Sequence, residues 1–159
     1  MRPMRRAERE VTEEARIREI LDGCEALHLG LWDGEEVYVV PVSYGYLYED
    51  GRCTLYFHGS AQGRKAEVLA RGGNVGCEMD RGAELMTAEG ACGHSTRYQS
   101  IVGSGEAECL ADPEEKCLAL RQIMRHYTGK ENWDFPDAAL EKTAVWALRT
   151  HWFTAKERG

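Results

Sequence analysis

The sequence predicts a mainly β chain with added helices, folded as a six-stranded antiparallel barrel with flanking helices. Short apolar runs are separated by turn signals such as Asp33-Gly34 and Glu49-Asp50-Gly51. Helical periodicity is confined to three isolated stretches, and the regular strand–helix alternation that a doubly wound parallel sheet requires is missing. No internal repeat or low-complexity segment interrupts the chain, so residues 1–159 read as a single domain whose first eleven residues form a basic arm.

In chain order, Thr12-Glu13-Glu14 starts a helix, with Ile17, Ile20, Leu21 and Cys24 at helical spacing before the pattern breaks near Gly23. Ala26–Trp32, Val37–Leu47 and Cys53–His58 then read as a three-strand meander. Pro41 lies inside the second of these, where its missing N–H is tolerated at an edge, at a bulge, or where another group meets the backbone. Ala66, Leu69 and Ala70 give helical spacing over Gly63–Ala70, with Gly72-Gly73 as the stop, and Val75–Met79 is the next strand. Glu84–Thr96 reads as a long loop and Tyr98–Leu110 as a strand. Asp112-Pro113-Glu114-Glu115 then combines an N-cap residue, a first-turn proline and first-turn acid, and Cys117, Leu120, Met124 and Tyr127 form the expected buried stripe of that helix. Thr143–Phe153 closes the chain, with Ala144–Leu148 apolar enough to be buried on both faces.

Composition narrows the function. A net charge of -7 and a pI near 5.3 argue against a nucleic-acid partner, because neutralising phosphates needs a basic surface. No apolar run approaches the roughly 20 residues of a membrane-spanning helix. Arg2, Arg5, Arg6 and Arg9 lead into Glu-rich sequence rather than an apolar signal core, so a cytoplasmic location without membrane contact is expected. The six cysteines lie in apolar patterns and read as reduced, mostly buried thiols. Cys92-Gly93-His94 lacks the ligand count of a structural zinc site, so no metal is expected. Trp32 and Trp146 read as core residues within strands; Trp133 and Trp152 are left without a role.

The most informative stretch is Tyr56-Phe57-His58-Gly59-Ser60-Ala61-Gln62-Gly63-Arg64-Lys65, which runs off a strand and opens a helix. Backbone N–H groups at that opening, close approach at Gly63, and the charges of Arg64 and Lys65 suit a phosphate, although a basic pair in a first turn can equally be solvated surface. His58 is the one nearby side chain that could donate a proton around neutral pH, or it is a hydrogen-bonded structural histidine. Gly103-Ser104-Gly105 lacks the third glycine and the following helix of a dinucleotide fingerprint, and Gly-x-Ser-x-Gly is absent.

Several segments, in order, resemble the pyridoxamine 5'-phosphate oxidase-like FMN-binding split-barrel superfamily, and within it the Nim-type branch named for nitroimidazole resistance. They are the Arg-rich start, Pro41-Val42-Ser43-Tyr44-Gly45-Tyr46, Tyr56–Lys65, Arg97-Tyr98-Gln99-Ser100-Ile101-Val102-Gly103 and Asp112-Pro113-Glu114-Glu115-Lys116. The resemblance implies a homodimer with FMN at the subunit interface. Pro41, Val42, Ser43 and Tyr44 would run beside the isoalloxazine. Phe57 and His58 would flank the ribityl chain, Arg64 and Lys65 would bind the phosphate, Ser60 and Gly63 would belong to the same cofactor-binding segment, and Ser100 would reach in from the partner subunit. It implies an FMN-dependent oxidoreductase acting on a small electron-poor molecule such as a nitro-aromatic compound, with His58 as the candidate catalytic residue. Pyridoxamine phosphate itself fits less well, since no Arg-rich substrate signature is recognisable over Trp146–Gly159. A non-catalytic flavin- or haem-binding protein, in which His58 is structural or an axial ligand, stays open beside it. So does a barrel that has lost its cofactor.

Overall fold

The computed structural model describes residues 2–159. Its strands are β1 (Glu10–Val11), β2 (Leu27–Trp32), β3 (Val37–Val42), β4 (Gly45–Glu49), β5 (Arg52–Gly59), β6 (Asn74–Met86), β7 (Ser95–Cys109) and β8 (Ala144–Arg158). The helices are α1 (Glu14–Gly23), α2 (Arg64–Ala70), α3 (Pro113–Thr128) and α4 (Asp137–Lys142). All pairings are antiparallel, in the order β3-β2-β6-β7-β8-β5-β4, with β1 added to β8. The expected six strands become eight for two reasons. The run Val37–Leu47 breaks at Ser43-Tyr44, and the end of the presumed arm pairs with β8 through Glu10↔Lys156 and Val11↔Ala155.

The path ends at β3 and β4, which are consecutive in sequence yet not paired with each other among the described residues. The barrel is therefore split rather than closed, and Ser43-Tyr44 crosses the opening. Pro41 lies on β3, an edge strand, opposite His28 of β2, which accounts for a proline in the ladder. The turns follow their sequence signals. Asp50 and Gly51 both have positive φ, the geometry of a two-residue type I′ hairpin. Asp33 Oδ1 accepts the N–H groups of Glu35 and Glu36, each at 2.9 Å.

Sequence patterning underestimates the three long strands, and β8 runs to Arg158 rather than ending at Phe153. β6 continues to Met86 through an irregularity between Arg81 and Glu84, where Gly82 has φ of 70°, and β7 resumes at Ser95. The loop expected over Glu84–Thr96 thus shrinks to its centre, because ladder pairing sustains strands whose exposed ends are too polar to be read as such. Gly103-Ser104-Gly105 is also explained. The β7–β8 register shifts between Ser104 and Gly105, and a Cβ on Gly105 would stand 2.0 Å from the Arg149 carbonyl oxygen. These glycines serve a β-bulge on β8, not a nucleotide.

Inside the barrel, Leu27, Leu29, Leu55, Phe57, Met79, Ile101 and Leu148 pack with Ile17, Ile20 and Leu21 of α1. A second, smaller cluster lies outside, where Tyr56, Val145 and Ala147 meet Leu110 and Ala119 and Ile123 of α3. Ala144–Leu148 is buried throughout, as its composition requires. Trp32 is not core. It lies 59% exposed on the outer face of β2, since Leu27, Leu29 and Leu31 take the inward phase. Cys24, Cys53 and Cys77 are buried, but Cys92 and Cys109 are exposed and Cys117 lies between; all six are free. Burial pushes the Cys53 thiol up to about 12 and the Cys77 thiol to about 11.

Helix α3 is rotated from its sequence reading, with Ala119 and Ile123 buried and Tyr127 exposed. Asp112 occupies the N-cap position without a side-chain capping bond, and Gly129, at φ of 76°, ends the helix. Two contacts set the rotation. Gly45 lets the α3 backbone lie directly on β4, since a Cβ there would be 2.3 Å from the Gln122 carbonyl carbon. His126 Nε2 donates to the Cys24 carbonyl oxygen at 2.7 Å, and its ring lies 4.3 Å from that of Tyr44.

Gly45→Ala is expected to destabilise by about 1–3 kcal/mol, because the obstructing atoms are backbone and cannot rotate away; urea unfolding measures it. Burial lowers the His126 pKa, so the unfolded chain binds the proton more readily. Stability is therefore full above about pH 6.5 and falls as pH drops toward the lower folded-state value. His126→Gln should flatten this part of a pH series of thermal midpoints.

Candidate functional site

Strand β5 alternates its side chains between the two sides of the sheet. Leu55 and Phe57 point into the barrel, while Tyr56 and His58 face α3. Phe57 is fully buried and stacks on Trp146 with ring centroids 5.6 Å apart. Phe57 and His58 thus stand on opposite sides of one strand, and only His58 is presented to a ligand. The strand ends at Gly59, where the missing side chain leaves room for Lys65. The Lys65 Nζ would be 2.7 Å from a Cβ at that position and lies 5.7 Å from the centre of the Trp146 ring.

Arg64 and Lys65 have different fates. The Arg64 guanidinium reaches the β2–β3 turn, where Nη2 donates to Asp33 Oδ2 at 2.6 Å and Glu36 Oε1 at 2.7 Å, and it lies 4.2 Å over the Tyr38 ring. The Glu36 N–H, then Arg64, hold the Asp33 carboxyl well below the usual carboxylate range. Lys65 has no ion-pair partner among the described residues, and partial burial lowers its pKa. Only Lys65 therefore presents an uncommitted positive charge. Beside it, Ser60, Gly63 and the residues between are exposed; Ser60 Oγ accepts the Gln62 N–H at 3.1 Å, and Gly63 has φ of 106°.

The Pro41–Tyr44 segment divides. Pro41 and Ser43 are exposed and Val42 is buried. Tyr44 is fully buried, its hydroxyl donates to the Leu21 carbonyl oxygen, and its N–H donates to Tyr127 Oη at 3.1 Å. Its polar groups are thus engaged within the chain. Ser100 lies elsewhere, half-buried between Asp80 and Lys156 on the outer face of the sheet. Lys156 is more than ten residues along β8 from Val145, the cross-strand neighbour of His58, or about 30 Å of strand. One subunit alone does not bring Ser100 to the others.

Sequence reasoning missed what surrounds His58. A mainly apolar cavity of about 230 Å³ lies between β5, α3 and α4, lined by His58, Leu120, Met124, Phe135, Leu140 and their neighbours. Phe135-Pro136-Asp137 was the available signal, an aromatic residue next to a helix start. His58 is exposed on one side; desolvation on its cavity side, and then the charge of Lys65, lower its pKa and favour the neutral imidazole. The clasp on Arg64 was also missed, although Asp33 stood in a recognised turn.

The fold is thus a split antiparallel barrel with an unpaired lysine at the start of α2 and a histidine at an apolar cavity. The sequence profile of the pyridoxamine 5'-phosphate oxidase family matches residues 13–157, and the chain belongs to that family, in its Nim-type branch. It is 34% identical to a candidate 5-nitroimidazole antibiotic resistance protein from Bacteroides thetaiotaomicron, covering 93% of this chain and 86% of that one, with a TM-score of 0.78. The fold is shared by the flavocytochrome Anf3 from Azotobacter vinelandii, at 22% identity, 99% and 72% coverage and a TM-score of 0.80. It is shared as well by an FAD and heme binding protein from Mycobacterium smegmatis, at 20% identity, 95% and 74% coverage and a TM-score of 0.78. No curated protein sequence matches. Among the described residues, no helix is long and apolar enough to cross a membrane.

Removing the Lys65 charge should raise the His58 pKa toward the ordinary imidazole value. An NMR titration of the His58 ring protons in Lys65→Gln checks the direction; no movement would mean that burial alone sets it.

Proposed function

We propose that the chain is an FMN-dependent oxidoreductase that passes electrons to a small, electron-poor molecule, with a nitro-aromatic compound as the leading substrate class. The observation that carries this reading is Lys65, an unpaired and partly buried cation beside Gly59, next to the exposed Ser60–Gly63 turn. A partly buried lysine without a carboxylate partner is stabilised by an anion that completes it. A flavin phosphate would do so, with Ser60 and the backbone at Gly63 as further donors. Bound flavin supplies hydride and single-electron chemistry that no side chain here can supply. The likeness to a candidate nitroimidazole resistance protein supports the substrate class.

The fit is uneven. Arg64 would reach a phosphate only by exchanging its two carboxylate partners, and the Tyr44 N–H is already taken by Tyr127. Pro41 and Ser43 remain the exposed parts of the segment that would border the ring. His58, neutral and facing the cavity, would hold a polar atom of the substrate and exchange a proton with it. A homodimer is part of the proposal. Trp32, Val37, Val39, Val102 and Trp152 are exposed on the sheet around a groove of about 520 Å³ whose floor includes Gly30 and Gly76. A second copy would cover this face and bring its Ser100 toward the cofactor. A cytoplasmic setting accords with six free thiols.

Two proteins that share the fold are a flavocytochrome and an FAD and heme binding protein, and the uncommitted His58 is the group at this site that could serve a haem reading. An absorption spectrum of the purified protein separates the two, flavin bands favouring the first and a Soret band the second. Lys65→Ala is expected to weaken FMN at least tenfold while leaving riboflavin affinity little changed, as followed by fluorescence quenching. Equal losses for both would sink the phosphate assignment.

A further inference from the structure

The cavity under α3 and α4 has a composition that selects its occupant. Leu120, Ile123, Met124, Phe135, Ala139 and Leu140 give it apolar walls, and no carboxylate, lysine or arginine lines it. Its two polar residues are Thr143 and His58. The Thr143 hydroxyl donates to the Ala139 carbonyl oxygen at 2.8 Å. The His58 imidazole has no hydrogen-bond partner among the described side chains and backbone groups, and so is the one uncommitted polar group at the wall.

We propose that this cavity is a binding site for a neutral compound of one aromatic ring, held by a single hydrogen bond to His58 and limited in size by Phe135 and α4. A charged ring would lose its hydration against walls that hold no counter-charge of their own, Lys65 lying by Gly59 and Trp146 outside the lining, which selects against carboxylate ligands. The neutral imidazole offers one N–H and one lone pair, so it can pair with either a donor or an acceptor. Size sets the other limit. An engineered cavity of about 150 Å³ holds benzene; about 230 Å³, open on one side, holds one ring with its substituents but not two full rings.

The wall that sets this limit is held in place. Lys116 Nζ donates to the Leu140 carbonyl oxygen, tying α4 to α3, and the Leu140 side chain is buried. Phe135 directly precedes Pro136, the N-cap residue of α4, so its ring is carried by the same short unit. A site of this kind stands on the chain alone, and it supplies the substrate class if the FMN reading also holds.

The test uses the full-length protein, without and with FMN, and follows the His58 ring resonances during titration with phenol, benzoate and 4-phenylphenol. Phenol should shift them saturably, and benzoate and 4-phenylphenol should bind at least tenfold more weakly. Phe135→Ala should bring 4-phenylphenol to within threefold of phenol. Where that variant fails to fold, Met124→Ala enlarges the same cavity and should act in the same direction. His58→Ala, followed by calorimetry, should weaken phenol about tenfold, the loss of one hydrogen bond. A flat phenol titration, or wild-type protein taking 4-phenylphenol as readily as phenol, would overturn the proposal. Failure to bind FMN with the phenol result intact would reject the oxidoreductase reading alone.

Discussion

Strand β8 is the member on which the rest of the structure depends. It pairs with β1, β5 and β7, and its stretch Ala144–Leu148 is buried on both sides. Trp146 and Leu148 complete the barrel interior, while Val145 and Ala147 form the seat of α3. The two hydrophobic clusters are therefore joined through one run of five residues. The site inherits this arrangement. Trp146 lies under Lys65, and Val145 sits beside His58, so the Lys65 corner and the apolar cavity are held on opposite sides of the same pair of strands.

Much of this was legible in the sequence because it rests on local rules. Turn residues at Asp33-Gly34 and Asp50-Gly51, the strand character of β2 and β5, and the Gly72 stop after α2 each act within a few residues. What was illegible depends on partners distant in the chain. Trp32 looks like core until pairing with β6, nearly fifty residues on, turns Leu27, Leu29 and Leu31 inward. The rotation of α3 follows from Gly45 and Cys24, 77 and 102 residues from their partners Gln122 and His126 in sequence. The ends of β6 and β7 are polar and exposed, so only their pairing with each other reveals them.

The same division holds at the site. The Tyr56–Lys65 segment was identifiable because strand, glycine and basic residues lie next to each other. The separate roles of its members were not, since they are decided by Asp33, Glu36, Trp146 and Phe135. Alternation along a strand places Phe57 and His58 on opposite faces, a consequence of pleat geometry that adjacency in sequence conceals. Tyr44 likewise belongs to the core, because the hydroxyl reaches α1 and the ring meets His126.

The clasp on Arg64 reaches beyond its geometry. Arg64, Lys65, Asp33 and Glu36 together carry no formal charge, on a chain whose net charge is -7. An approaching dianion therefore meets no long-range positive field, and its attraction begins only within contact distance of Lys65. Capture of the proposed FMN at such a corner would gain nothing from electrostatic steering, and salt, by screening the like charge of the chain, would speed it rather than slow it.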